Sequence, residues 1–281
     1  MDYFQRAKFF RTKKRLGQNF LIDEQVILDI IEAAEISKDD IVVEIGAGVG
    51  FVTEQLVKFA KKVYAIELDE AAIVELQKID AQNLEIIHND ILKTDLSQFA
   101  EENRKIKIVA NIPYYITSPI IAHLLGEIDD LNNKNRNSIE TIILMVQYEV
   151  AQRIVADPDS PSKQYGHLSI SSQFYADIDW VRNVSARSFY PAPKVQSAIL
   201  KFMIRQNPIV ETSDYSFMKK VTKAVFLSRR KNIKNSLINA GFAKNAVEKT
   251  LTDLDIPPEA RGEKFSIQQF AQLSEELKKN L

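Results

Sequence analysis

Short apolar runs alternate with amphipathic stretches along the first two thirds of the chain. Val26, Ile27, Ile30, Ile31 and Ala34 recur at helical spacing behind Asp23, a residue type that caps helix N-termini. Ile41–Ile45 is a run of strand length, and similar runs recur at 63–67, 84–88, 106–110 and 142–146. Between or after them, 51–58, 70–78, 118–126 and 148–155 read as helices. Strands separated by helices predict a parallel sheet wrapped by helices. Asp157-Pro158-Asp159-Ser160-Pro161 breaks the alternation as a loop. Two further strands, 178–184 and 197–204, bring the sheet to seven. From Gln206 onward only helical patterns remain. The expected organisation is a basic N-terminal tail over 1–18, an α/β domain over 19–205 and a small helical domain over 206–281.

Composition narrows the chemistry. There is no cysteine, which excludes disulfides, thiolate metal sites and thiol nucleophiles. The three histidines, at 88, 123 and 167, lack metal-ligand spacing, so no metal is expected. No apolar run approaches the roughly 20 residues of a membrane span, and the N-terminus lacks the apolar core of a signal peptide. The expected location is the cytoplasm. The net charge of -1 conceals segregation. Residues 1–18 carry six Lys/Arg and one acid, 19–181 carry 13 Lys/Arg and 28 acids, and 182–205 carry five Lys/Arg and none. Residues 206–281 carry 13 Lys/Arg and nine acids. A single charge run reads as a solvated face. Two basic ends around an acidic middle would form a polyanion-binding surface if they converge.

The strand at 41–45 runs into Gly46-x-Gly48-x-Gly50, a turn that lets backbone pass close to a ligand. The dinucleotide fingerprint requires its third glycine one residue later, where this chain has Phe51. The Glu44-x-Gly46-x-Gly48-x-Gly50 form resembles motif I of class I S-adenosylmethionine-dependent methyltransferases. Plain strand–helix packing would also use glycines, but this turn takes three of the chain's eight. Glu67 ends the next strand, 21 residues after Gly46, where an acid can accept from ribose hydroxyls. Asp90 follows the third strand, where it can accept from an adenine amino group. Each acid taken alone would read as a solvated loop residue.

Asn111-Ile112-Pro113-Tyr114 follows the fourth strand, at the same rim. An adenine amino nitrogen is a poor nucleophile because its lone pair is delocalised. The Asn111 oxygen and a backbone carbonyl can accept its N–H bonds and orient it. Pro113 stiffens the turn, and Tyr114 can stack on a flipped base. Asn-x-Pro is also a common turn, and its place after the fourth strand is what distinguishes it.

These motifs resemble, nearly end to end, the KsgA (RsmA) family of rRNA adenine N6,N6-dimethyltransferases. Arg15-Leu16-Gly17-Gln18-Asn19-Phe20-Leu21 is similar to the family's segment over the cofactor, which implies contacts from Asn19 and Leu21 to S-adenosylmethionine. Gly46, Glu67, Asp90 and Asn111 fall on the family's other cofactor positions. Gln147-Tyr148-Glu149-Val150 resembles its Q-K-E-V helix, with Tyr148 where lysine is usual. Tyr165-Gly166-His167-Leu168-Ser169 resembles a further segment. Phe189-Tyr190-Pro191-Ala192-Pro193-Lys194-Val195-Gln196-Ser197 matches its F-x-P-x-P-K-V-x-S block, which implies that Phe189 packs against the target adenine. Read from the residues alone, that block is a proline-stiffened connection.

In the last domain, Phe226–Leu237 reads as a helix with Arg230, Lys231 and Lys234 on one side. With Arg229 and Lys194 these are the candidate phosphate contacts, and a solvated helix face is the plain alternative. This segment and Arg261–Ser266 resemble the ribosome-assembly branch of the family. The resemblance implies a Rossmann-like class I methyltransferase fold with a small C-terminal α-helical domain. It also implies S-adenosylmethionine as cofactor, consumed to S-adenosylhomocysteine. The expected substrate is 16S rRNA in the 30S subunit, with two adjacent adenosines of the 3′-terminal hairpin dimethylated by a monomeric enzyme. Three alternatives stay open on sequence: methylation of 23S rRNA, a non-catalytic nucleic-acid-binding factor and a nicotinamide-dependent dehydrogenase.

Overall fold

The computed structural model describes residues 2–13, 16–102, 104–161, 163–227 and 231–281. Nine strands are present among them: β1 (Phe20–Leu21), β2 (Ile41–Ile45), β3 (Lys62–Glu67), β4 (Leu84–His88), β5 (Ile106–Asn111), β6 (Ile139–Gln147), β7 (Ala176–Val184), β8 (Phe189–Tyr190) and β9 (Ser197–Ile204). The helices that matter below are α1 (Tyr3–Phe9), α2 (Glu24–Ala33), α3 (Thr53–Phe59), α4 (Glu70–Leu76), α5 (Thr117–Leu125), α6 (Lys134–Ser138), α7 (Tyr148–Val155), α8 (His167–Gln173), α9 (Tyr215–Leu227), α10 (Ile233–Asn239), α11 (Lys244–Asp253) and α12 (Ile267–Lys279).

Seven strands form one sheet in the order β4-β3-β2-β5-β6-β9-β7. β2 pairs in parallel with β3 and with β5, and β5 with β6, while β9 runs antiparallel to β6. Every residue of β2 is buried, as are five of the six in β5. This is why both read as continuous apolar runs rather than as alternating ones. Strand order reverses where β2 meets β5, which leaves a crevice beyond their carboxyl ends. Gly46 lies just past the end of β2, and Asn111 ends β5.

The chain divides into two compact units. The first comprises residues 1–125, 132–151 and 177–204; the second comprises 126–131, 152–176 and 205–281. The linear boundary expected at 206 therefore needs correction. Ile128, Phe174 and Tyr175 bury themselves in the helical core with Met218, Val221 and Phe270. The Tyr175 hydroxyl also donates to the Ile128 carbonyl at 2.9 Å. Hydrophobic periodicity marks such residues as buried without saying in which core.

The segment expected as a separate tail is also revised. Its described residues include α1, which Asp2 caps by accepting from the Gln5 N–H. Tyr3 stacks on Phe51 with ring centres 4.6 Å apart, and Arg6 pairs with Glu54 at 2.6 Å. Further along, β1 pairs antiparallel with β8, setting Leu21 opposite Phe189 and Phe20 opposite Tyr190. A two-residue strand carries no periodicity of its own. The single helix expected over 226–237 is interrupted: Lys231 and Asn232 are not helical, residues 228–230 lie outside the described residues, and α10 starts at Ile233, where the Asn232 side chain accepts from the Asn235 N–H.

Candidate active site

The floor of the crevice is the glycine turn. Gly46, Gly48 and Gly50 have φ of +72°, +57° and +87°, the region L side chains rarely adopt. At Gly48 and Gly50 space opposes a side chain as well as torsion does. A Cβ on Gly48 would lie 2.9 Å from the Phe20 ring, and one on Gly50 would lie 2.6 Å from Ile79. Glu67 holds this turn in shape. Its Oε2 accepts from the Gly48 N–H at 2.7 Å, and its Oε1 accepts from the Leu68 and Asp69 N–H groups at 2.8 Å each. One lone pair on Oε2 is left for another donor.

Glu44 lies beneath the turn, 3% exposed, with the Thr53 hydroxyl donating to its Oε2 at 2.5 Å. Burial pushes its pKa up to about 8; the Thr53 hydrogen bond opposes this and the Glu67 charge reinforces it. Two carboxyls thus sit at one site, and the deeper one is neutral at pH 7.

The opposite wall is the turn after β5. The Asn111 Nδ2 reaches the Asn19 carbonyl at 3.5 Å, a long contact. That leaves its side-chain oxygen as the end able to accept from a ligand amine. Ile112 is buried, and the Tyr114 hydroxyl lies 2.6 Å from Ser197 Oγ.

A third wall comes from the N-terminal segment. Lys13 Nζ donates to Asp69 Oδ1 at 2.6 Å and Gln18 Nε2 donates to Asp69 Oδ2 at 2.7 Å. Asp69 Oδ1 also accepts from the Ala71 N–H, capping α4. Burial pushes the Asp69 carboxyl up, but Lys13, Gln18 and the Ala71 N–H outweigh it and hold it below its ordinary value. Gln18 and Asp69 were not among the sequence candidates. They are 51 residues apart, and nothing local to either announces the other.

Asn19, Leu21, Gly46, Glu67, Asp90 and Asn111 all line a single pocket. Ile112, Pro113 and Tyr114 line it too. Asp90 additionally accepts from the Leu92 N–H at 3.0 Å, closing a short helical turn. The remaining candidates lie elsewhere. Phe189 is 2% exposed, in the core packed around β2, and does not line the pocket. Lys194 and Lys231 are exposed. Lys234 pairs with Glu248 at 2.6 Å. Arg229 and Arg230 lie outside the described residues. Tyr148, in the position usual for lysine, meets Trp180 edge-on with ring centres 5.3 Å apart.

The described residues contain no group of three His, Asp or Glu placed to hold a metal, and no helix long and apolar enough to cross a membrane. What they do contain is a glycine cradle, two acids in series and an Asn-Ile-Pro-Tyr turn, all at the switch point of one sheet. The ribosomal RNA adenine dimethylase family matches residues 9–279. The chain belongs to that family. Similar proteins include the ribosomal RNA small subunit methyltransferase A of Clostridium botulinum strain Langeland, 42% identical over 95% of this chain and 94% of its own length. The protein of the same name from Shouchella clausii is 43% identical over 95% and 90%. A crystal structure of a dimethyladenosine transferase from Plasmodium falciparum has 27% identity and a TM-score of 0.75, covering 92% of this chain and 97% of that one. The 23S rRNA methyltransferase ErmE has 26% identity and a TM-score of 0.65, covering 92% and 100%.

Membership makes this chain an rRNA adenine dimethyltransferase with the Rossmann-like class I fold, and methyltransferases of this kind use S-adenosylmethionine. The pocket fits that group on its own evidence. Gly46 puts backbone at the pocket wall with φ in the region that favours glycine, Glu67 and Asp90 offer acceptors, and buried apolar residues such as Ile112 and Leu21 line its interior.

Proposed function

We propose that this enzyme dimethylates the N6 amino groups of two adjacent adenosines in the 3′-terminal hairpin of 16S rRNA. It acts as a monomer in the cytoplasm, on the small ribosomal subunit during its assembly. The observation that carries this is the convergence of Asn111–Tyr114 with Gly46, Glu67 and Asp90 on one pocket. The two named small-subunit methyltransferases, similar over nearly their full length, support the small-subunit assignment.

S-adenosylmethionine, when bound, supplies a methyl group activated by sulfonium charge. Glu67 would accept from a ribose hydroxyl through the lone pair left on its Oε2, Asp90 would accept from the adenine amino group, and Gly46 would give the cofactor close backbone approach. Asn19 and Leu21 cover it from the N-terminal side, and Asn111 reaches both cofactor and substrate. The Asn111 oxygen accepts an N–H of the target amine and directs the nitrogen lone pair along the attack line, and Tyr114 stacks on the target base. Orientation supplies the acceleration, and no residue here is needed as general base, because the nitrogen becomes acidic once methylated. Phe189 would pack on the base only after leaving the core position described above. Lys194 and Lys231, with Arg229 and Arg230, contact phosphates. Lys234 joins them only by giving up Glu248.

The test is methyl incorporation from labelled S-adenosylmethionine into undermethylated 30S subunits, 50S-derived RNA and no RNA, with Asn111→Ala in parallel. Dimethyladenosine in 30S alone, lost in the variant, is the expected result. Label in 23S rRNA would reassign the substrate. RNA binding with no label anywhere would leave a binding factor on the same fold.

A further inference from the structure

Tyr114 is anchored from behind. Its hydroxyl lies 2.6 Å from Ser197 Oγ, across 83 residues of sequence and on the far side of β6 from β5. Ser197 is the first residue of β9 and is completely buried. The backbone there is fixed as well, since the Gln196 carbonyl accepts from the Tyr148 N–H at 3.0 Å. Tyr114 itself lines the pocket. Its ring therefore forms pocket wall, while its hydroxyl is committed to a side chain that solvent does not reach. Burial raises the Tyr114 pKa, with the Ser197 hydrogen bond partly opposing it, so the phenol keeps its proton. On the other flank, Gly17 at φ +60° brings its backbone against the turn. A Cβ there would touch Pro113 and the Tyr115 ring at 3.4 Å.

We propose that Ser197 is a positioning residue for the methyl acceptor. It holds the Tyr114 ring axis in place, and so the position at which the target adenine stacks beside Asn111. The inference rests on the function proposed above and adds a residue to it. A tyrosine ring turns about two side-chain torsions. A hydrogen bond at its tip, to a partner on a buried strand, restrains the first of these, which sets where the ring points, before the base arrives. Losing either hydroxyl leaves the other buried and unpaired, so the pair acts as a unit. The arrangement also gives the last residue of the Phe189–Ser197 block a role in the reaction rather than in chain connection alone.

The experiment is a double-mutant cycle on 30S methylation with Tyr114→Phe, Ser197→Ala and the double variant. Affinity for S-adenosylmethionine and melting temperature are measured alongside. Each single change is expected to lower kcat/KM for RNA by roughly 5- to 10-fold, the scale of one hydrogen bond. S-adenosylmethionine affinity should stay within about twofold, because no cofactor contact is removed. The double variant should be no slower than the slower single, and Ser197→Thr should recover most of the rate. Multiplying effects, or Ser197→Ala at the wild-type rate, would overturn the assignment. If Ser197→Ala does not fold, Tyr114→Phe still decides, because it keeps the ring and removes only the hydroxyl. Its stacking is read by quenching of 2-aminopurine in place of the target adenine. Weaker quenching supports the anchor, and unchanged quenching with unchanged rate overturns it. No label from the wild type on any RNA would instead overturn the proposed function itself.

Discussion

The rim of the sheet and the C-terminal helices answer to sequence in opposite ways. At the rim, six residues drawn from five segments of sequence line one pocket. In the helical unit, of the two described lysines expected on a basic helix face Lys231 is exposed and Lys234 is paired to Glu248 of the next helix, and the helix expected to carry them is broken. The difference is one of what each residue depends on. A glycine at positive φ, or an acid at a strand end, is constrained by its own backbone and by the topology. A surface lysine has a long, free side chain, and its partner is whichever acid another element brings within reach.

The largest expected effect tests the rim. Asn111→Ala removes the only acceptor the Asn111 side chain offers the target amine, and methyl transfer should fall by about 100-fold or more. Single-turnover rates with saturating cofactor would show this, and a loss below tenfold would remove Asn111 from the reacting centre. Gly48→Ala comes next. It combines φ +57° with a Cβ 2.9 Å from the Phe20 ring. A stability loss of about 1–3 kcal/mol is expected, seen as a drop of several degrees in melting temperature, with weaker S-adenosylmethionine binding by calorimetry. An unchanged melting curve would mean that the cradle yields.

Glu44 gives a pH dependence. In the folded chain its pKa is near 8, against an ordinary 4.5. Between those values the folded state keeps a proton that the unfolded state has lost. Stability from this group is therefore complete below about pH 4.5, falls as pH rises and levels off above about 8, with a slope of at most about 1.4 kcal/mol per pH unit. Asp69 and Asp40 are held below their ordinary values, so their contributions are lost only on acidification, whereas burial holds His167 below its ordinary 6.5 and adds a slope of opposite sign up to about that pH. The stability of wild type minus that of Glu44→Gln should fall steadily from pH 5 to 8, and a constant difference would refute the shift. The smallest effect tests the helical unit. Lys234→Ala breaks a solvent-screened pair, should barely move the melting temperature and should leave the salt dependence of RNA binding unchanged. A slope reduced by about one would return Lys234 to phosphate contact.

What the sequence determined by itself was local and periodic. All seven strands of the main sheet could be placed to within a few residues; central strands such as β2 and β5 were legible because burial on both faces writes continuous apolar runs, whereas the edge strands β4 and β7 are largely unburied. The cofactor positions were legible because strand ends and glycine turns have fixed places in an alternating fold. Only the tertiary structure decided the rest. It placed residues 126–131 and 152–176 in the helical unit, joined Leu21 to Phe189, pinned Gln18 and Lys13 to Asp69, and set Tyr114 on Ser197. Each of those joins residues far apart in the chain, through side chains that carry no periodic signal. Such pairings are selected by packing of the whole domain and not by the propensity of either segment.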